Sequence, residues 1–111
     1  MLDINGTGAN ATAFAVYDGS ANAYKVKIKH DGSATFAGNV TPSGDATIDL
    51  GSSSLRWANI YSADLQLSNE GAANEVDGTW GQYTIQEGED DLFLINRRSG
   101  KKYKFMLQEV Q

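Results

Sequence analysis

The chain has 111 residues and a formal net charge of −5, with 12 glycines, one proline and no cysteine. That length suits one domain or two small modules, and the acidic balance excludes nucleic acid as a partner, because phosphate binding needs a basic surface. The missing cysteine excludes disulfides and thiolate metal sites, and no apolar run approaches the roughly 20 residues of a membrane-spanning helix, so membrane insertion is not expected.

Hydrophobic residues make up 41% and charged residues 21%, and large apolar side chains are sparse up to about Ala73. Such a chain struggles to offset its ordering entropy alone. Other copies of the same chain are therefore expected to supply the missing burial. Met1-Leu2-Asp3 runs straight into polar sequence with no basic-then-apolar leader, and the start reads as the interior of a longer polypeptide.

In chain order, "AFAVYDGSANAYKV" places Asp18-Gly19 after Phe14, Val16 and Tyr17, the pattern of a strand entering a tight turn. In "YKVKIKHDGSATFAG", Val26 and Ile28 alternate with Lys25, Lys27 and Lys29, the period of a strand with one wet face. Asp31-Gly32 then sits between two such runs, a strong hairpin signal. "NVTPSGDATIDLGS" predicts two further short strands around Pro42 and Gly44. Leu55, Ala58, Tyr61 and Leu65 have helical spacing, but Asn59, Ile60 and Tyr61 are poor helix formers. The expectation is one helical turn at Ser54–Trp57, then strands at Ile60-Tyr61 and Leu65–Leu67.

"SNEGAANEVDGTWG" is a loop by composition. "WGQYTIQEG", "DDLFLINRR" and "KKYKFMLQEV" predict three antiparallel strands. A two-residue turn at Ser99-Gly100 would set Leu94 against Phe105, Leu92 against Leu107 and Asn96 against Tyr103. The opposite face carries Phe93, Ile95 and Met106 among charges. With apolar residues on both faces, one face is expected to pack within the chain and the other against a neighbouring copy. Core packing is the expectation for Trp57, Phe93 and Phe105.

Charge is segregated. Between Arg56 and Arg97 lie eight acidic residues and no basic ones, and Arg97, Arg98, Lys101, Lys102 and Lys104 then crowd the last hairpin. Pairing of opposite charges across strands or between copies is the first expectation, at about 0.2–1 kcal/mol per pair. The alternative is a basic tip that meets an anionic surface polymer.

Signals for catalysis are thin. His30, the single histidine, sits beside a turn with no nucleophile–carboxylate pattern around it. Gly6-Thr7-Gly8 lacks the third glycine and strand–helix context of a dinucleotide loop. Glu87, Glu89, Asp90 and Asp91 crowd one turn without the opposed geometry of a glycosidase or the spacing of a calcium loop. No catalytic, metal or cofactor residue is assigned. Asn5-Gly6-Thr7 and Asn10-Ala11-Thr12 match the glycosylation acceptor pattern, which arises by chance in sequence this rich in Asn and Thr.

"VKIKHDGSATFAGNV" is similar to hairpin units in the shafts of bacteriophage tail fibres. From "LGSSSLRWANIYS" to the end, the chain resembles the carboxy-terminal region of tail-fibre and related virion structural proteins, especially of marine and cyanobacterial phages. The element carrying this is Leu-Gly-Ser-Ser-Ser-x-Arg-Trp-x-x-Ile-Tyr, here Leu50–Tyr61. It recurs in fibres that end in a self-cleaving chaperone domain; that continuation is missing here, so autoproteolysis is not carried over. The resemblance covers the chain from about Tyr24 onward.

The resemblance implies an all-β fold in which short hairpins form an intertwined homotrimeric fibre shaft ending in a small antiparallel β module. It implies a virion tail protein, made in the host cytoplasm, with other tail proteins and a host cell-surface glycan or protein as partners, no cofactor and no turnover. On it, residues 1–50 read as shaft, 51–69 as a Gly/Ser turn and junction, and 70–111 as a C-terminal tip module. Leu55, Arg56, Trp57, Ile60 and Tyr61 are expected to lock the trimer at the junction by burial, with Arg56 bridging to a carboxylate such as Asp64. Trp80, Tyr83, Arg97, Arg98, Lys101 and Tyr103 are the candidate receptor contacts. The alternatives are a trimeric tail connector or decoration protein without receptor contact, and a tailspike-like glycan depolymerase.

Overall fold

A computed structural model describes Gly8 and residues 11–111; Asn5 and Asn10 of the two acceptor patterns and Gly6-Thr7 lie outside the described residues. Every regular element among the described residues is a strand: β1 (Thr12–Asp18), β2 (Ala23–Lys29), β3 (Ala34–Phe36), β4 (Leu65–Ser68), β5 (Gln82–Glu87), β6 (Leu92–Asn96) and β7 (Lys102–Lys104). They form two antiparallel sheets in chain order, β1-β2-β3 and β4-β5-β6-β7. The chain divides into two units, residues 1–52 and 53–111, one sheet in each.

The first sheet follows from its alternation. Phe14 lies opposite Ile28 and Val16 opposite Val26, and Val26 in turn opposes Phe36. These residues share one face because side chains alternate along a strand. Both turns are built the same way. Asp18 Oδ1 accepts from the Ser20 amide and hydroxyl at 3.0 and 2.7 Å, and Asp31 Oδ1 accepts from the Ser33 amide and hydroxyl at 2.9 and 2.7 Å. A bulge between Val16 and Tyr17 shifts the register, and Tyr17 then pairs with Tyr24, their rings edge-to-face at 5.1 Å.

Residues 37–64 contain no strand and no helical turn. The two strands predicted around Pro42 and Gly44, the helical turn at Ser54–Trp57 and the strand at Ile60-Tyr61 are therefore not formed within the chain. A strand exists only with a ladder partner, and neither sheet offers this segment an edge it pairs with. Pro42 also lacks a donor, and Ala46 sits at φ 53°.

The second sheet aligns Leu65, Ile85, Leu94 and Tyr103 in one cross-strand row and Leu67, Tyr83 and Asn96 in the next. Leu92 and Phe105 extend this face, joined by the Phe105 amide on the Leu92 carbonyl at 2.9 Å. The predicted pairings Leu94–Phe105, Leu92–Leu107 and Asn96–Tyr103 are each displaced by two residues. Asn96 closes a four-residue loop instead: its Oδ1 accepts from the Arg98 and Ser99 amides at 3.0 and 3.2 Å, and Gly100 turns the chain at φ 76°. A shift of two preserves which side chains share a face.

Burial on the second sheet is inverted from what composition suggests. Thr84 and Ile95, opposite each other on the polar face, are the two buried residues, with 0% and 9% of their surface exposed. Thr84 donates its hydroxyl to Gln66 Oε1 at 2.6 Å and accepts from Arg97 Nε at 2.9 Å. Gln66 and Arg97 both reach Thr84 on this face, while Phe93 on the same face stays exposed. On the apolar face Ile85, Leu92, Leu94 and Phe105 are half-buried, and Leu65, Leu67 and Tyr103 stand open.

Candidate functional site

The six candidate contact residues do not form one cluster. Trp80, Tyr83 and Arg98 meet at one end of the second sheet. There the loop from β4 to β5 faces the β6–β7 hairpin tip. Arg98 lies with its guanidinium carbon 3.8 Å from the Trp80 ring centroid and donates from Nη1 to the Trp80 carbonyl at 3.0 Å. Tyr83 accepts at its hydroxyl from Asn96 Nδ2 at 3.3 Å. Arg97 is turned to the opposite face, where it holds Thr84. Tyr103 lies in the apolar row with Leu94. Lys101 is exposed, its amide on Ser99 Oγ at 3.2 Å.

The loop that presents Trp80 is stiffened by its own side chains. Asn74 Oδ1 accepts from the Val76 and Asp77 amides at 2.7 and 2.9 Å, and Asn74 Nδ2 donates to Asp77 Oδ1 at 2.7 Å and to the Thr79 carbonyl at 2.9 Å. Asp77 Oδ1 accepts from the Thr79 amide and hydroxyl at 3.1 and 2.7 Å. Asn69 Oδ1 takes the Gly81 amide at 2.7 Å. Asp77-Gly78-Thr79 thus repeats the turn of Asp18-Gly19-Ser20 and Asp31-Gly32-Ser33. The third-position hydroxyl, visible in the sequence as DGS, DGS and DGT, is the signal that the Asp-Gly pattern alone missed.

Hydrogen bonds from the Thr79 hydroxyl, and then from Asn74, hold the Asp77 carboxyl below the ordinary aspartate value of 3.8. The folded pKa lies under the unfolded one, so this carboxylate supports the loop fully above 3.8 and loses that support as pH falls through the lower folded value. The Thr79 amide resonance is expected to titrate with a midpoint below 3.8, and Asp77→Asn to remove the titration. A Thr79 amide shift that is flat across that range in the wild type defeats this reading of the loop.

Two shallow concavities flank Trp80. One, of about 430 Å³, is bordered by Thr79, Trp80, Tyr83, Asn96, Arg98 and Ser99. The other, of about 470 Å³, includes Leu67, Asn69, Asp77, Trp80 and Tyr83 but not Arg98. Trp80 is half-buried, lies under the Arg98 guanidinium and borders both concavities.

The basic cluster is mostly unpaired. The ion pairs among the described residues are Lys25–Asp18 at 3.8 Å and Lys104–Asp91 at 3.9 Å. Arg56 does not reach Asp64, whose Oδ2 instead accepts from Gln86 Nε2 at 3.1 Å. The junction residues are open within the chain: Trp57 is 62% and Tyr61 94% exposed, and Leu55, Arg56 and Ile60 are exposed as well. The expectation that Trp57 belongs to a core within the chain is thereby corrected: its segment joins neither sheet, and the side chain is mostly exposed.

Among the described residues there is no group of three or more potential metal ligands, and no helix long and apolar enough to cross a membrane. Comparison with known proteins gives no match to a family model, a curated protein or a solved structure.

Proposed function

We propose that this chain is a structural and adhesion component of a phage tail fibre, a distal trimeric segment that mediates attachment to a host-surface glycan or protein. The observation that carries the reading is the uncovered apolar face of each sheet, together with the exposed apolar stretch between them. Phe14, Val16 and Phe36 on the first sheet, Leu50, Leu55, Trp57 and Ile60 in the stretch, and Leu65, Leu67 and Tyr103 on the second sheet all stand open. Apolar exposure of this extent marks an interface. The sequence resemblance supplies the number of copies, three. Three chains around one axis would cover these faces and give the stretch that joins neither sheet its ladder partners.

Light scattering is expected to return three times the chain mass of 11.9 kDa. Trp57→Ala is expected to lower the melting temperature and promote dissociation on dilution, since each copy loses on the order of 2 kcal/mol of apolar burial. A stable particle of one chain mass overturns the assembly, and an unchanged melting temperature in Trp57→Ala removes the junction from it. The connector reading shares the assembly and differs in having no surface ligand, so saccharide binding separates the two.

A further inference from the structure

We infer that the Trp80–Arg98 pair is a recognition site for a carboxylate-bearing saccharide. The inference rests on the attachment reading for its expectation of a surface ligand, and it adds the chemical class and the residues.

Arg98 is held in place before any ligand arrives. Its backbone amide is tied to Asn96 Oδ1 at 3.0 Å, its Nη1 to the Trp80 carbonyl at 3.0 Å, and its guanidinium plane to the indole at 3.8 Å. A guanidinium has five N–H donors in a planar fork that matches a carboxylate. One is engaged here, and among the described residues no carboxylate pairs with Arg98. The absence is informative because eight acidic residues precede it in the same half of the chain.

The surroundings suit a sugar more than a small anion. Trp80 also borders the neighbouring concavity, where its half-buried indole would supply an apolar surface for the C–H face of a pyranose ring. Tyr83, Asn96 and Ser99 border the Arg98 side and bring a hydroxyl, an amide and a second hydroxyl for sugar oxygens. Arg97 is excluded from this role by its place on the other face, and Lys102 lies in the cross-strand row of Ile95 on that same face.

The test uses the full chain in its native assembly on a glycan array, followed by titration with trigalacturonate and with maltotriose. Carboxylated glycans are expected to bind at least about tenfold tighter than neutral ones, as the loss of a charged hydrogen-bond partner predicts. Arg98→Ala is expected to remove that preference. Arg98→Lys keeps the charge without the fork and is expected to recover only part of it. The wild type alone gives a second readout: affinity for trigalacturonate should fall as salt rises. Neutral glycans bound equally well, or a preference unmoved by Arg98→Ala in a variant of unchanged melting temperature, overturn the inference while attachment stands. Silence across the whole array removes both.

Discussion

Leu65→Asp is expected to reduce the assembly to single chains. Within one chain Leu65 is half exposed, at 50%, on the edge strand β4, in the row with Ile85, Leu94 and Tyr103. An exposed position of that kind tolerates substitution within about 0.5 kcal/mol. If copies meet through this face, three carboxylates are brought into an apolar contact with no counter-charge. An unpaired buried charge costs several kcal/mol, on the order of 3–5 per site. The same substitution is therefore nearly silent in a monomer and disabling in a trimer. Sedimentation at two protein concentrations reads the difference, and wild-type mass with wild-type melting temperature would show that the face is not an interface.

Ile95→Ala is expected to be the most damaging change within the second sheet itself. Ile95 is 9% exposed and lies between Thr84 and Lys102 on the neighbouring strands. Deleting its branched end leaves a cavity beside the Thr84–Arg97 hydrogen bond, at a cost of about 2–5 kcal/mol per chain. The loss acts inside each copy, so the drop in melting temperature should be nearly independent of protein concentration. That separates it from Leu65→Asp and Trp57→Ala, whose effects deepen on dilution. A melting temperature within a degree or two of wild type would mean that Ile95 does not anchor the sheet.

The sequence made the strands of both sheets legible where alternation and turn chemistry agreed. Val26 and Ile28 against their lysines, Asp31-Gly32 between two runs, and the closing strands around Ile85 and Leu94 appear as expected, while the last, expected across KKYKFMLQEV, is a strand only over Lys102–Lys104. Alternation also put Leu92, Leu94, Tyr103 and Phe105 on one face, although the pairing is displaced by two residues. The displacement came from Asn96, whose side chain caps the hairpin loop and lengthens it. Composition did not distinguish a two-residue turn from that four-residue loop.

Two features lay beyond linear pattern. Thr84 and Arg97 are far apart in the chain, and only the pairing of β5 with β6 makes the Arg97 amide bond the Gln82 carbonyl and its guanidinium reach Thr84. Trp80 and Arg98 were each singled out as candidates, but their stacking depends on a loop and a hairpin tip meeting at one end of the sheet.

By itself, then, the order of residues determined an all-β chain, its Asp-Gly turns, and the apolar side of each strand. These depend on interactions within a few positions, where backbone geometry and side-chain alternation act directly. Tertiary structure decided which of six candidate side chains converge, and that the two buried residues of the second sheet, Thr84 and Ile95, lie on its polar face. Both outcomes depend on contacts between distant strands, and Gln66 and Arg97 reach Thr84 only once the sheet has brought them side by side.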